Sequence, residues 1–191
     1  NPDLRQLAQE IFARFGPPYV VKPLCGGSSL GVTIANSAQE MPEILERMLE
    51  EYGAVIVEQF ITGKEGTCGV VEGLRGEDIY SLPPIEIRVP AGSTFWGYEE
   101  KYDGKTEEIC PGNFTDREKE IMRRAALEVH KQLGLRHYSR SDFIVAPSAI
   151  YFLEVNTLPG LTATSLLPKS IDAIGMSFPD FLDHLITIAK K

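Results

Sequence analysis

Apolar residues recur along this chain in two rhythms. Leu4, Leu7, Ala8, Ile11, Phe12 and Phe15 fall three and four apart, which gathers them on one stripe of a helix, and Gly16-Pro17-Pro18 ends the run. Tyr19-Val20-Val21-Lys22 and Val32-Thr33-Ile34 read as short strands on either side of a Gly/Ser-rich segment, residues 24–31. Ser37 and Glu40 stand at the spacing of a capping box and predict a helix reaching about Tyr52. Residues 54–60 are a nearly continuous apolar run of the buried-strand type. Thr62-Gly63-Lys64-Glu65-Gly66 predicts a turn, with a further strand over 67–74.

Thr115 and Glu118 form a second capping box, whose helix runs to Leu133 and stops at Gly134. Strands follow over 137–145 and 150–155, joined by Ala146-Pro147-Ser148-Ala149 as a hairpin turn. A short helix starts near Ser165, and a last one is capped by Ser177. The hairpins favour antiparallel sheet and the helices are interspersed with strands, so the fold class is α+β. Residues 90–113 have no period and are rich in Gly, Pro, Tyr and charge; so long a loop in a compact domain tends to carry function.

Composition acts mainly by exclusion. Hydrophobic residues make up 43% and charged residues 24%, enough apolar material for a core without disulfide or metal support. The formal net charge is -8 and no run of Lys and Arg is present, which argues against a nucleic-acid binder. Cys25, Cys68 and Cys110 are odd in number and widely spaced, so reduced thiols and a cytoplasmic protein are expected. His130, His137 and His184 show no metal-ligand spacing and read as structural or surface residues. The uncharged stretch 143–153 is broken by Pro147 and is too short to span a bilayer, so no membrane is expected.

Neither GxxxxGK[ST] nor GxGxxG is present. Gly26-Gly27-Ser28-Ser29-Leu30-Gly31 offers converging backbone amides and hydroxyls that suit phosphate, although a flexible hairpin has the same composition. Lys22 tips the balance towards a phosphate flap, because a lysine on an otherwise apolar strand needs an anionic partner or ligand. Arg140 and Asp142 are two apart on one strand, Glu154 and Asn156 two apart on the next, so each pair shares a face. Asp142, Glu154 and Asn156 are hard oxygen ligands suited to Mg²⁺; the other reading is an exposed polar face with a cross-strand Arg–Glu pair. The run from Asn156 through Gly160 leads to a helix start at Ser165-Leu166, where amides and dipole hold a carboxylate or Ser165 is a plain N-cap. Glu58 and Glu65 fit an adenine amino group or a ribose hydroxyl, or a solvated turn.

Taken in order, Val21-Lys22-Pro23, Gly27-Ser28-Ser29-Leu30-Gly31, Val57-Glu58-Gln59-Phe60 with Glu65, Glu100-Lys101-Tyr102, Arg140-Ser141-Asp142 and Glu154-Val155-Asn156-Thr157-Leu158-Pro159-Gly160 with Ser165 resemble the D-alanine–D-alanine ligase family of ATP-grasp enzymes. The resemblance covers nearly the whole chain, and its last run is the most specific. It implies an ATP-grasp fold of two lobes, mainly antiparallel sheets flanked by helices, with residues 1–65 as the central lobe, 66–191 as the C-terminal catalytic lobe and ATP between them. It also implies an N-terminal substrate domain that this chain lacks, an inactive chain in its absence, and a homodimer for the full-length protein.

Residue by residue, the resemblance implies that Lys22 and Lys101 contact ATP phosphates, with Lys101 on the long loop acting as a lid. Ser28 would lie in the flap, Glu58 with the backbone around Gln59 and Ile61 at adenine, and Glu65 at the ribose. Asp142, Glu154 and Asn156 would hold two Mg²⁺ (or Mn²⁺). Arg140 and the Gly160 amide would stabilise an oxyanion, and Ser165 and Leu166 would bind the carboxylate of the second amino acid. Tyr102 goes with D-Ala–D-Ala products in this family. The implied activity is ATP-dependent joining of two D-alanines through an acyl phosphate, for peptidoglycan precursors. The alternatives are a ligase for other amino acids or peptides and a non-catalytic nucleotide-binding module. Cys25 is unusual in the flap and reads either as a reactive thiol or as an inert one.

Overall fold

The computed structural model describes residues 3–90 and 106–190, which fall into two compact units, one ending at Ile61 and the other beginning at Thr62. Among the described residues, no helix is long and apolar enough to cross a membrane.

In the first unit, α1 (Leu4–Arg14) begins where Asp3 accepts hydrogen bonds from the amides of Arg5 and Gln6, at 2.9 and 3.3 Å. Its apolar stripe and that of α2 (Met41–Tyr52) pack against a three-stranded antiparallel sheet ordered β2 (Thr33–Ala35), β1 (Tyr19–Pro23), β3 (Val55–Gln59). Tyr19, Val21, Ala35, Met41, Leu45 and Met48 are buried there. Strand alternation turns Val20 and Lys22 to the opposite face, beside Ile56 and Glu58 of β3.

Ser37 and Glu40 bond each other, but neither as a reciprocal capping box nor at a helix start. Ser37 Oγ donates to Glu40 Oε1 at 3.1 Å, and the Asn36 amide donates to Glu40 Oε2 at 3.0 Å, closing a turn ahead of α2. Pro42 is the reason. A helix capped by Ser37 would bury the proline ring in its second turn, against a carbonyl four residues back, whereas a start at Met41 keeps Pro42 in the first turn.

In the second unit, β4 (Lys64–Glu72), β5 (Ile79–Ser81), β6 (Ile85–Arg88), β7 (Glu107–Ile109), β8 (Tyr138–Val145) and β9 (Ile150–Asn156) make an antiparallel sheet. Its order is β7-β6-β4-β8-β9, with β5 also on β4. The strand begins at Lys64, so the turn expected over 62–66 is shorter: Lys64, Glu65 and Gly66 already pair with Val145, Ile144 and Phe143. Gly66 is glycine for closeness rather than for turning, since a Cβ would lie 2.9 Å from the Phe114 ring. β7 lies inside the segment expected to be a loop. Three residues with two glutamates on a sheet edge are too short to show a period.

Helix α3 (Asp116–Gln132) packs on one face of this sheet, around Cys68, Val70, Phe114, Met122, Ala126, Phe143 and Val145. Helices α4 (Leu166–Ala173) and α5 (Phe178–Ala189) pack on the other, around Val71, Leu74, Leu82, Leu167, Ile171 and Phe181. Near the middle of β9, Glu154 pairs with Asp142 but Phe152 pairs with Phe143, which leaves Leu153 as the extra residue of a β-bulge. Glu154 and Asn156 therefore share a face with Asp142 and Arg140. Phe152 instead meets Phe143 edge-on, ring centroids 5.9 Å apart, on the α3 side.

Candidate active site

In the first unit, Lys22 Nζ lies 2.7 Å from Glu58 Oε2, so a phosphate candidate and an adenine candidate neutralise each other across β1 and β3. Both side chains are partly exposed, at 25% and 40%, and an ion pair of that kind is weak enough for a ligand to open. Gln59 ends β3 and Ile61 ends the unit. Ser28 and Ser29 hold the turn between β1 and β2 with φ of 54° and 57°, a left-handed conformation that costs most side chains energy.

In the second unit, the strand pairing sets polar residues in two rows across three strands. Thr67, Asp142 and Glu154 form one row, and Gly69, Arg140 and Asn156 the next. Asp142 is the hub. Arg140 donates to it twice, Nε to Oδ1 at 2.9 Å and Nη2 to Oδ2 at 2.8 Å; the Asn156 amide donates to Oδ2 at 2.9 Å; the Thr67 hydroxyl donates to Oδ1 at 2.6 Å. Each carboxylate oxygen thus has two donors, which fills its lone pairs. Burial works against the Arg140 charge, but its hydrogen bonds to Asp142 and the charges of Asp142, Glu154 and Glu108 outweigh it and hold the guanidinium pKa above its usual value. Glu65 is half-buried on the same face of β4, two residues before Thr67. The cross-strand Arg–Glu pair is not what forms: Arg140 takes Asp142 on its own strand.

Ser165 occupies the N-cap position of α4, but its hydroxyl does not cap. It accepts instead from the Thr162 amide at 3.1 Å and contacts Thr162 Oγ1 at 2.8 Å. The first-turn amides of α4 thus have no side-chain cap. Leu166 is buried, which restricts any ligand contact to its backbone. A Cβ on Gly160 would lie 2.8 Å from Ser165 Oγ. Lys101, Tyr102 and most of the expected lid lie outside the described residues.

The family model described as D-ala D-ala ligase C-terminus matches residues 2–187. The chain belongs to the D-alanine–D-alanine ligase family. A D-alanine–D-alanine ligase from Desulfotalea psychrophila is 42% identical over 187 residues, 96% of this chain and 57% of that protein. D-alanyl-alanine synthetase A from Vibrio cholerae matches with a TM-score of 0.83 at 30% identity, over 98% of this chain and 56% of that one. The Bacillus anthracis D-alanine–D-alanine ligase complexed with ATP matches with a TM-score of 0.74 at 34% identity, over 98% and 55%. The chain spans just over half the length of the curated relatives it matches. The fold is the α+β ATP-grasp fold of D-alanine–D-alanine ligases, as the sequence led us to expect.

Within this ligase fold, two contacts escape a reading of the sequence. Thr67 is one: a threonine in a strand predicts no partner 75 residues away. The Lys169–Glu108 ion pair is the other, joining α4 to β7 beside Arg140. Glu108 lies within the segment expected to be loop, so nothing in its surroundings announced it. Among the described residues, no group of three or more His, Cys, Asp or Glu side chains has metal-binding geometry. The set Asp142, Glu154 and Asn156 consists of two carboxylates and an amide, which is the donor chemistry Mg²⁺ takes alongside phosphates and water.

Proposed function

We propose that this chain is the ATP-binding and catalytic part of a cytoplasmic D-alanine–D-alanine ligase for peptidoglycan precursor synthesis, with residues 1–65 as the central lobe and 66–191 as the C-terminal lobe. The observation that carries this reading is the pairing of Arg140 with Asp142, flanked by Glu154 and Asn156 on one sheet face. In the family's reaction a carboxylate oxygen of the first D-alanine attacks the terminal phosphorus of ATP and ADP leaves. The amine of the second D-alanine then attacks the acyl carbon, loses a proton, and phosphate departs with the bonding pair.

In this reading Lys22 leaves Glu58 for the phosphates, and Glu58 turns to the adenine amino group with the backbone at Gln59 and Ile61. Glu65 takes the ribose, Ser28 closes the flap, and Lys101 and Tyr102 reach in from the lid. Asp142, Glu154 and Asn156 hold two Mg²⁺ (or Mn²⁺), which supply charge neutralisation for phosphoryl transfer when bound. The Asn156 amide offers its nitrogen to Asp142 here and can offer its oxygen to a cation, so one side chain serves both states. Arg140, released from Asp142, faces the developing oxyanion with the Gly160 amide. Ser165 and the Leu166 amide at the start of α4 bind the carboxylate of the second D-alanine. The rest of the first D-alanine site comes from the part of the full-length ligase that this chain does not cover, and that protein acts as a homodimer.

Phosphate release by the full-length protein with ATP, Mg²⁺ and D-alanine tests the reading. Release is expected with D-alanine alone, and Arg140→Ala is expected to lower it by about a hundredfold or more, the scale for losing an oxyanion donor. Release only with other amino acids would move the substrate. ATP binding without turnover would make the protein a non-catalytic nucleotide module.

A further inference from the structure

We propose that Thr67 is a positioning residue for Asp142, its buried hydroxyl holding the carboxylate in place while the other donors turn to ligands. The inference rests on the metal site proposed above. Thr67 stands in the middle of β4, directly opposite Asp142 in the strand pairing, and is 2% exposed. Its Oγ1 lies 2.6 Å from Asp142 Oδ1 and 3.1 Å from the Ser141 carbonyl oxygen. Both neighbours are acceptors and the hydroxyl has one proton, so the proton goes to the shorter, charged contact. No water reaches so buried a hydroxyl, and an unmatched one would be costly on this strand.

The four donors to Asp142 are unequal. Two come from Arg140 and one from Asn156, and both residues have work on the ligands. The fourth comes from Thr67, on a strand paired on both sides, with β6 and with β8. Once Arg140 swings to substrate and Asn156 turns its oxygen to a cation, the Thr67 hydroxyl is the donor that keeps Oδ1 anchored. Oδ2 is then left towards the ion. An unanchored carboxylate would rotate and lose affinity for the metal more than for the nucleotide.

Three substitutions in the full-length protein separate this role from simple packing. Thr67→Val keeps the shape and removes the hydroxyl; Thr67→Ser keeps the hydroxyl; Thr67→Ala removes both. Mn²⁺ affinity is read by electron paramagnetic resonance with a non-hydrolysable ATP analogue present. Nucleotide affinity without metal and thermal unfolding are read in parallel. Thr67→Val is expected to weaken Mn²⁺ binding about 10- to 100-fold, the usual scale for groups that orient a metal ligand, with metal-free nucleotide binding unchanged. Thr67→Ser is expected to stay near wild type. Equal Mn²⁺ affinity in Thr67→Val and wild type would overturn the proposal. Should Thr67→Val not fold, the Ser and Ala variants decide, and equal affinity in those two overturns it as well. A wild-type protein that binds the nucleotide but no Mn²⁺ removes the metal site and this role together. Tight Mn²⁺ binding without D-alanine turnover overturns the ligase reading and leaves the role of Thr67 standing.

Discussion

At Gly69 a Cβ would lie 2.6 Å from Leu167 Cδ1 and 2.8 Å from Leu82 Cδ1, both side chains fully packed in the core under α4. Gly69 shares its row with Arg140 and Asn156, so the missing methyl lets α4 sit close to the strands that carry the polar site. Gly69→Ala is expected to destabilise the protein by about 1–3 kcal/mol, as overpacked cores do, and urea unfolding measures it. Asp142 shows the opposite economy of space. Its i, i+2 spacing from Arg140 was readable in the sequence because strand geometry alone fixes it. That the two side chains bond each other, and that Thr67 joins them, was not readable, because those contacts depend on the register between β4 and β8.

At the scale of elements, one motif has two outcomes. Thr115 and Glu118 form a complete capping box: the Thr115 amide donates to Glu118 Oε2 at 2.7 Å, and the Glu118 amide to Thr115 Oγ at 3.3 Å. The same spacing at Ser37 and Glu40 closes only a turn, since Pro42 delays the helix. Thr115→Ala is therefore expected to cost about 1 kcal/mol, while Ser37→Ala costs clearly less, a difference that thermal unfolding of the two variants resolves. Long, strongly periodic segments such as α1, α3 and β8 were legible because one face of each is buried over many residues. β5, β6 and β7 were not, since strands of three or four residues carry too little alternation to stand above chance.

For the molecule as a whole, acid stability turns on a group that the proposed reaction does not use. His130 is 1% exposed; its Nδ1 lies 2.8 Å from Ser139 Oγ, and its Nε2 has no hydrogen-bond partner and sits 3.8 Å from Glu72 Oε1. His137 and Arg136 also face Glu72, and His184 contacts its carbonyl oxygen. The sequence reading of these histidines as structural gave no hint that all three would meet at one residue. Burial lowers the His130 pKa below 6.5, and the Glu72 charge pulls it back only in part. The unfolded chain then takes up a proton that the folded one resists, so the stability His130 contributes is complete above about pH 6.5 and is lost as pH falls from there through the folded pKa. The melting temperature is expected to fall across that window, and His130→Gln is expected to flatten the fall; parallel slopes for both proteins would count against this account. The bulge at Leu153 has a consequence of another kind, for what length of chain the strand tolerates. Residues 152, 154 and 156 have the same parity, yet Phe152 belongs to one face and Glu154 and Asn156 to the other. Leu153 is the point where odd and even change places. Its identity matters little, being 41% exposed, and the pairs on either side of it would meet without it. Were Leu153 instead drawn into the ladder opposite Asp142, with the turn at 146–149 unmoved, Glu154 and Asn156 would fall in the apolar layer under α3; deleting Leu153 outright is expected to keep Glu154 opposite Asp142 and Asn156 opposite Arg140.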